Sequence, residues 1–307
     1  MVLMILLTLA GSPVTATSDE TVFVHEWGVV SIDEVIPMAQ GAQQGYLDEH
    51  GMLLPYYPMI VDAPVLWFHG PEFTGTLTVE VQNGYFSLLI PLPVSESIDD
   101  ESIPVFSEGD NYTAVWKDLV FTDAASINSD RPSDRISAPG DSAEDGFEWA
   151  MPFWREVPAL TVTYEAGNFA DRFIYYECSA SNLFDQREPS ESYQRRSLVF
   201  HEEEGELKAD LVVDPGNRIR IELAVSDEGI LEVLSEWGND NFLEEEIEAL
   251  WKTWKPSIMT RCIQDEEVIV LFPLTDQQVE SISTIDLHTD QGYTVQYYRL
   301  FLGMGSV

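Results

Sequence analysis

The segment TLTVEV at residues 76–81 alternates apolar and polar side chains. In an extended chain its three apolar residues share one face, which is the period-two pattern of a half-buried β-strand. Other segments show the same alternation or are rich in β-branched and aromatic residues; they are 85–90, 159–164, 172–177, 219–225, 267–272 and 293–302. We therefore predict a mainly β protein built from sandwich-like antiparallel sheets.

One segment near the C-terminus follows a helical period instead. Between Phe242 and Trp254 the apolar residues fall at i, i+4, i+7, i+8 and i+11, which places them on one buried stripe. Any of residues 239–241 can cap this helix, and Glu244, Glu245 and Glu246 lie near the positive end of its dipole. Pro256 is predicted to end it. We expect a C-terminal helical insertion near residues 242–254 that packs on a sheet.

The first sixteen residues, MVLMILLTLAGSPVTA, have the composition of a secretory signal. Their apolar stretch is shorter than the about 20 residues that a transmembrane helix needs, and the following chain contains no comparable stretch. We expect cleavage near residue 16, a secreted or periplasmic (extracytoplasmic) location, and no membrane span in the mature chain. The mature chain then divides into a β-rich region at 17–122, an acidic loop or linker at 123–149, and a β-rich region with the helix at 150–307.

The net charge of -39 results from 54 acidic and only 15 basic residues. Nucleic-acid binding requires a basic surface that displaces counterions, so we expect no nucleic-acid partner. The same charge disfavours an anionic membrane surface. Two interpretations of the acidity remain, namely adaptation to high salt and a surface that collects cations.

The two cysteines, Cys178 and Cys262, are a disulfide candidate for an oxidising compartment. The alternative is two separate buried thiols. A disulfide that closes so long a loop would stabilise the fold by about 4 kcal/mol in the chain-entropy model.

The segment TVFVHEWG at residues 21–28 is the most suggestive local feature. In a strand His25 shares a face with two aromatic residues, whereas Glu26 points to the opposite face. His25 and Glu26 are candidate catalytic residues and metal ligands, but both reach one ion only if Gly28 introduces a bulge or bend. A hydrogen-bonded structural histidine is the alternative interpretation of His25. The other histidines are predicted to be surface or loop residues; they are His50, His69, His201 and His288.

A second candidate cation site lies in the acidic loop, where Asp141, Glu144 and Asp145 are interspersed with glycines. Oxygen ligands on a pliable loop suit Ca²⁺, although the spacing of an EF-hand is absent and a solvated acidic loop explains the same residues. A divalent cation is therefore the only cofactor for which the sequence offers candidates.

Residues 23–28, FVHEWG, lie shortly after the predicted signal and resemble the opening of an uncharacterised family of exported bacterial proteins with an N-terminal VHEWGT-like motif. Segments similar to others of that family follow in the same order; they are 63–68, 154–159, 172–176, 244–254, 268–273 and 299–303. Val29 replaces the threonine of the motif, and Glu177 and Cys178 stand where arginine and glycine are expected. The resemblance implies export and a shared mainly β fold, and it implies no activity.

The sequence contains no nucleophile elbow, no P-loop and no dinucleotide-binding fingerprint, and neither cysteine has a neighbouring histidine. We expect an exported, acidic, non-enzymatic binding or structural protein, with a protein, a glycan or a small molecule as its ligand. The alternative is a metal-assisted hydrolase with a site around His25 and Glu26, in which the metal activates a water.

Overall fold

A computed structural model describes residues 20–31, 59–82, 84–93, 111–123, 147–180, 196–213 and 222–306. The strands in these ranges are β1 Thr21–Ser31, β2 Met59–His69, β3 Phe73–Val81, β4 Gly84–Ile90, β5 Tyr112–Thr122, β6 Thr161–Tyr164, β7 Phe169–Asp171, β8 Ile174–Ala180, β9 Arg196–Glu203, β10 Glu206–Val213, β11 Glu222–Ala224, β12 Ile269–Pro273, β13 Ser283–Thr289 and β14 Thr294–Ser306. The α-helices are α1 Met151–Glu156, α2 Asp227–Trp237, α3 Glu244–Ile263 and α4 Asp276–Ile282.

The strands form two sheets. The larger has nine strands in the order β11-β10-β9-β12-β14-β1-β2-β8-β4, and the smaller has five in the order β13-β3-β5-β6-β7. Neighbouring strands are antiparallel except β1 and β14, which run parallel. The predicted mainly β, sandwich-like fold is confirmed. Strands from before and after residues 123–149 enter both sheets.

The nine-stranded sheet is covered on both faces. On one face Trp27 and Trp67 belong to a core shared with the helices, which contribute Trp154 and Trp254. On the other face Val24 and Phe68 belong to a second core, which the smaller sheet completes. Strand β1 is therefore buried along nearly its whole length, and a polar side chain on either of its faces enters a core.

Helix α3 continues past Pro256 to Ile263, so the prediction that Pro256 ends it is wrong. An interior proline costs roughly 3 kcal/mol. Trp254, Ile258 and Cys262 nevertheless keep one buried face across it, and full burial of a large apolar side chain stabilises by about 1.5–3 kcal/mol. The packing of the last two turns thus outweighs the lost hydrogen bond. None of the four α-helices in the described part of the chain combines the length and the apolar character needed to cross a membrane.

The predicted disulfide between Cys178 and Cys262 is wrong: both are free, buried thiols. Cys178 lies in the core between the two sheets, and Cys262 lies in the core beneath the helices. The nine-stranded sheet thus separates them, and no side-chain rearrangement brings the sulfur atoms together. Burial raises the pKa of the Cys178 thiol well above its usual range and raises that of Cys262 as well.

Candidate metal centre

Strand β1 directs its two candidate residues to opposite faces of the large sheet. His25 pairs with Trp67 on β2 and with Tyr298 on β14, and its ring lies on the helix side. Glu26 lies on the side of the smaller sheet. The register does shift between Trp27 and Val29, so an irregularity is present near Gly28, but it does not bring the two side chains together.

Two residues from distant parts of the chain join His25. His69 is the last residue of β2, the neighbour of β1, and Glu246 lies in the first turn of α3. His25 Nδ1 lies 2.9 Å from Glu246 Oε2 and 3.1 Å from Oε1, and His69 Nε2 lies 2.9 Å from Oε1. The candidate metal centre therefore consists of His25, His69 and Glu246.

Glu246 is the central residue of this group and is fully buried. Its Oε2 also accepts a hydrogen bond from the backbone N–H of Leu243 at 2.7 Å. Leu243 is the N-cap residue of α3, so the prediction that one of residues 239–241 caps this helix is wrong. Burial raises the pKa of Glu246, but the hydrogen bonds and charges of His25 and His69 outweigh it, so the pKa is lowered overall. The carboxyl group is accordingly an anion at neutral pH.

The surroundings of the centre are aromatic on one side and reach solvent on another. The His25 ring lies 5.3 Å from the Phe242 ring and 5.4 Å from the Tyr298 ring, and the His25 and His69 ring centroids are 4.6 Å apart. The His25 side chain is 7% exposed and the His69 side chain 15% exposed. Of the three side chains, that of His69, which was predicted to be a surface or loop residue, is thus the most exposed to solvent.

The donor set and its spacing fit a zinc-class ion. Imidazole nitrogens and a carboxylate oxygen are typical ligands of Zn²⁺, and a tetrahedral site with bonds of ~2.0–2.1 Å separates its ligand atoms by ~3.4 Å. Around such an ion the nitrogen–oxygen separations of 2.9–3.1 Å would widen by a few tenths of an ångström, and the three ligand atoms all lie within 4.8 Å of one another. Without an ion, the same atoms form hydrogen bonds in which each imidazole donates an N–H to the carboxylate.

Glu26 belongs to a separate polar group on the opposite face. Its Oε1 accepts the Tyr176 hydroxyl at 2.6 Å, and its Oε2 accepts Arg299 Nε at 2.5 Å. Arg299 also donates to the backbone oxygen and to the hydroxyl of Ser283. Burial and the charge of Glu26 raise the pKa of Tyr176 well above its usual range. Because all of these groups are paired, the role that this network supports is to tie β1, β8, β13 and β14 together.

A cleft of about 630 Å³ lies next to the candidate metal centre. Phe242 and Tyr298 contact the His25 ring and also line this cleft, whereas His25, His69 and Glu246 are absent from its lining. The two rings thus lie between the cleft and the three ligands.

The structure does not test the second predicted cation site. Asp141, Glu144 and Asp145 lie outside the described residues, as does His50. His201 lies 3.9 Å from Asp210, and His288 is exposed on β13.

No protein-family model, no curated protein and no solved structure matches this chain. The resemblance to the VHEWGT-like family therefore stays a prediction.

Proposed function

We propose that this protein is an exported metal-binding protein, in which His25, His69 and Glu246 hold one divalent transition-metal ion of the zinc class. The observation that carries the proposal is the convergence of two imidazole nitrogens, each 2.9 Å away, on the two oxygens of one fully buried carboxylate. Nitrogen and carboxylate ligands favour zinc and its neighbours over Mg²⁺ or Ca²⁺, which prefer oxygen ligands only.

The location of the three ligands suggests what the ion does for the protein. They come from β1, β2 and the first turn of α3, so a bound ion would connect α3 to two central strands of the large sheet. Such an ion stabilises the folded chain because the unfolded chain cannot assemble the three ligands. Delivery by the predicted signal peptide would place this metal-binding protein in the extracytoplasmic space.

A metal titration of the chelator-treated protein tests this proposal. We expect one equivalent of Zn²⁺ to bind and to raise the free energy of unfolding by about 2.7 kcal/mol at roughly 100 times the dissociation constant. His69→Ala and Glu246→Gln should weaken binding by about 100-fold or more, since the first removes a ligand and the second replaces an anionic carboxylate by a weaker, neutral amide ligand.

The matched control is His288→Ala, which removes an exposed histidine outside the centre and should leave zinc binding unchanged. The proposal fails if zinc does not bind, or if Glu246→Gln binds zinc as tightly as the unaltered protein.

A metal-assisted hydrolase is the second candidate function. Three protein ligands leave a fourth position, and in catalytic zinc sites that position holds a water whose pKa the metal lowers. The partial exposure of His69 supports access for a small substrate. Glu26 takes no part in this version, because it lies on the opposite face of the sheet.

Ester hydrolysis separates the two candidates. A zinc-dependent turnover of p-nitrophenyl acetate that Glu246→Gln abolishes and His288→Ala preserves would favour the hydrolase. Stoichiometric zinc binding without such turnover would favour the binding protein.

A further inference from the structure

Strand β14 is much longer than the strand that covers its outer edge. Strand β12 pairs only with residues 302–306 of β14, whereas β1 pairs with residues 294–304 on the other side. Among the described residues no strand pairs with the outer edge of Thr294–Phe301. Within the described part of the chain, more than half of this central strand thus has an open edge.

The hydrogen bonds at the two ends of this segment show which backbone groups face the open edge. Thr294 N–H donates to the oxygen of Glu20, on the β1 side, and Leu274 N–H donates to the oxygen of Phe301, on the β12 side. Alternate residues of a strand direct their N–H and C=O groups to opposite edges. Tyr297 and Arg299 are separated from Phe301 by an even number of residues, so their backbone N–H and C=O groups point to the same edge as those of Phe301. This is the open edge.

This open edge forms one side of the cleft of about 630 Å³. Four consecutive residues of β14, 297–300, line the cleft, and so do residues 273–275, where the chain leaves β12. Consecutive rather than alternate residues line a surface when the edge of a strand, not its face, is presented to it. The cleft thus lies beside residues 297–300 of β14, where β12 would pair if it were longer.

The two walls of the cleft differ in chemistry. Trp237, Phe242 and Tyr298 form the wall on the helix side, and all three pack against the helix-side core. Helix α4 forms the other wall with Asp276 and Glu280, which are exposed. The described residues provide no ion pair for either of these two carboxylates.

The arginines of the cleft do not supply a free positive charge. Arg196 pairs with Glu236, and Arg299 pairs with the buried Glu26. Among the described residues the uncompensated charge in the cleft is therefore negative, as is the net charge of the chain, -39. A cationic partner would be attracted over a long range at low salt.

The geometry points to a binding site for an extended peptide that adds to β14 as a further strand. Its backbone would pair with Tyr297 and Arg299, which is the β-strand addition mode of peptide recognition. Side chains of an added strand alternate between the two walls. The matching sequence alternates apolar residues, which meet Trp237 and Phe242, with basic residues, which meet Asp276 and Glu280.

The test uses an acetylated and amidated octapeptide of alternating valine and lysine, labelled for fluorescence anisotropy. Two further versions carry backbone N-methyl groups either on every valine or on every lysine. In an extended peptide all valines direct their N–H groups to one edge and all lysines direct theirs to the other. Only one of the two N-methylated versions therefore loses the N–H groups that pair with β14. We expect that version to bind about tenfold or more weakly and the other to bind as the parent peptide does.

Charge reversal provides a second readout with a matched control. Glu280→Lys should weaken binding of the parent peptide by about tenfold at low salt, whereas Glu165→Lys, an equal charge change in the exposed β6–β7 turn, should leave it unchanged. Three results would overturn the inference: no binding of the parent peptide, equal binding of all three peptides, or equal loss with both N-methylated versions.

Discussion

At the scale of single residues, Asp62 shows how burial on the large sheet makes stability depend on pH. It lies on β2 opposite Val29 and accepts a hydrogen bond from Ser31 Oγ at 2.9 Å. Burial raises the pKa of Asp62, and the Ser31 hydrogen bond lowers it by a smaller amount. The folded protein therefore binds this proton more tightly than the unfolded chain, and the ionised carboxylate opposes folding at neutral pH.

The substitution Asp62→Asn removes that opposition. We expect it to raise the thermal unfolding midpoint at pH 7 by a few degrees, because the amide carries no charge and its oxygen still accepts the Ser31 hydroxyl. The advantage should shrink as the pH falls through the raised pKa and should vanish below the ordinary value of 3.8. Calorimetry across pH 3 to 8 measures the difference in unfolding midpoint between Asp62→Asn and the unaltered protein. An equal increase at pH 3 and at pH 8 would contradict this account.

The candidate metal centre was only partly predictable from the sequence. The strand pattern of the segment 21–28 is sufficient to predict that the side chains of His25 and Glu26 point to opposite faces of the sheet. The partners of His25 are not predictable in the same way, because Glu246 is 221 residues away along the chain. His69 joins because β2 pairs with β1, and Glu246 joins because α3 packs on the sheet. One usable signal was present: Glu246 lies three residues after Leu243, within the apolar stripe, and so on the face of the helix that has to be buried.

At the scale of elements, the contact between β12 and β14 depends on the absence of a side chain at Gly303. A Cβ atom there would lie 2.4 Å from the ring of Phe272, which is fully buried on β12. We expect Gly303→Ala to destabilise the fold by about 1–3 kcal/mol, because the ring has to move within a packed core. Urea unfolding measures this change.

Gly229→Ala is the control for this prediction. Gly229 lies in the first turn of α2, and its nearest contact would be a methyl group of Val225 at 3.3 Å. Alanine favours a helix over glycine by up to about 1 kcal/mol, so this substitution should be neutral or stabilising. Destabilisation of equal size by both alanines would contradict the proposed role of the Gly303 contact.

Elements with a clear local period were predictable, and those decided by packing were not. The alternation at 76–81 identified β3, although the strand begins at Phe73. The stripe from Phe242 to Trp254 identified α3, but the local signal of Pro256 was overridden by the burial of the following turns. Sequence alone also left open which strands pair, and so it did not reveal that Cys178 and Cys262 lie on opposite sides of one sheet.

At the scale of the whole molecule, the net charge of -39 predicts a strong dependence of stability on salt. Self-repulsion among the acidic residues weakens the compact state, and the screening length falls from about 10 Å at 0.1 M salt to about 3 Å at 1 M. We expect the unfolding midpoint to rise by on the order of 10 °C between these concentrations of KCl. A flat response would contradict adaptation to high salt and would leave the cation-collecting surface as the explanation.

The most direct test of the metal centre is X-ray absorption spectroscopy at the zinc edge on the full chain loaded with one equivalent of Zn²⁺. We expect nitrogen and oxygen ligands at ~2.0–2.1 Å, with the outer-shell scattering that two imidazole rings produce. The outer-shell signal should weaken in His69→Ala. A shell of oxygen atoms alone, or a spectrum that His69→Ala leaves unchanged, would contradict the assignment of His25, His69 and Glu246 as the ligands.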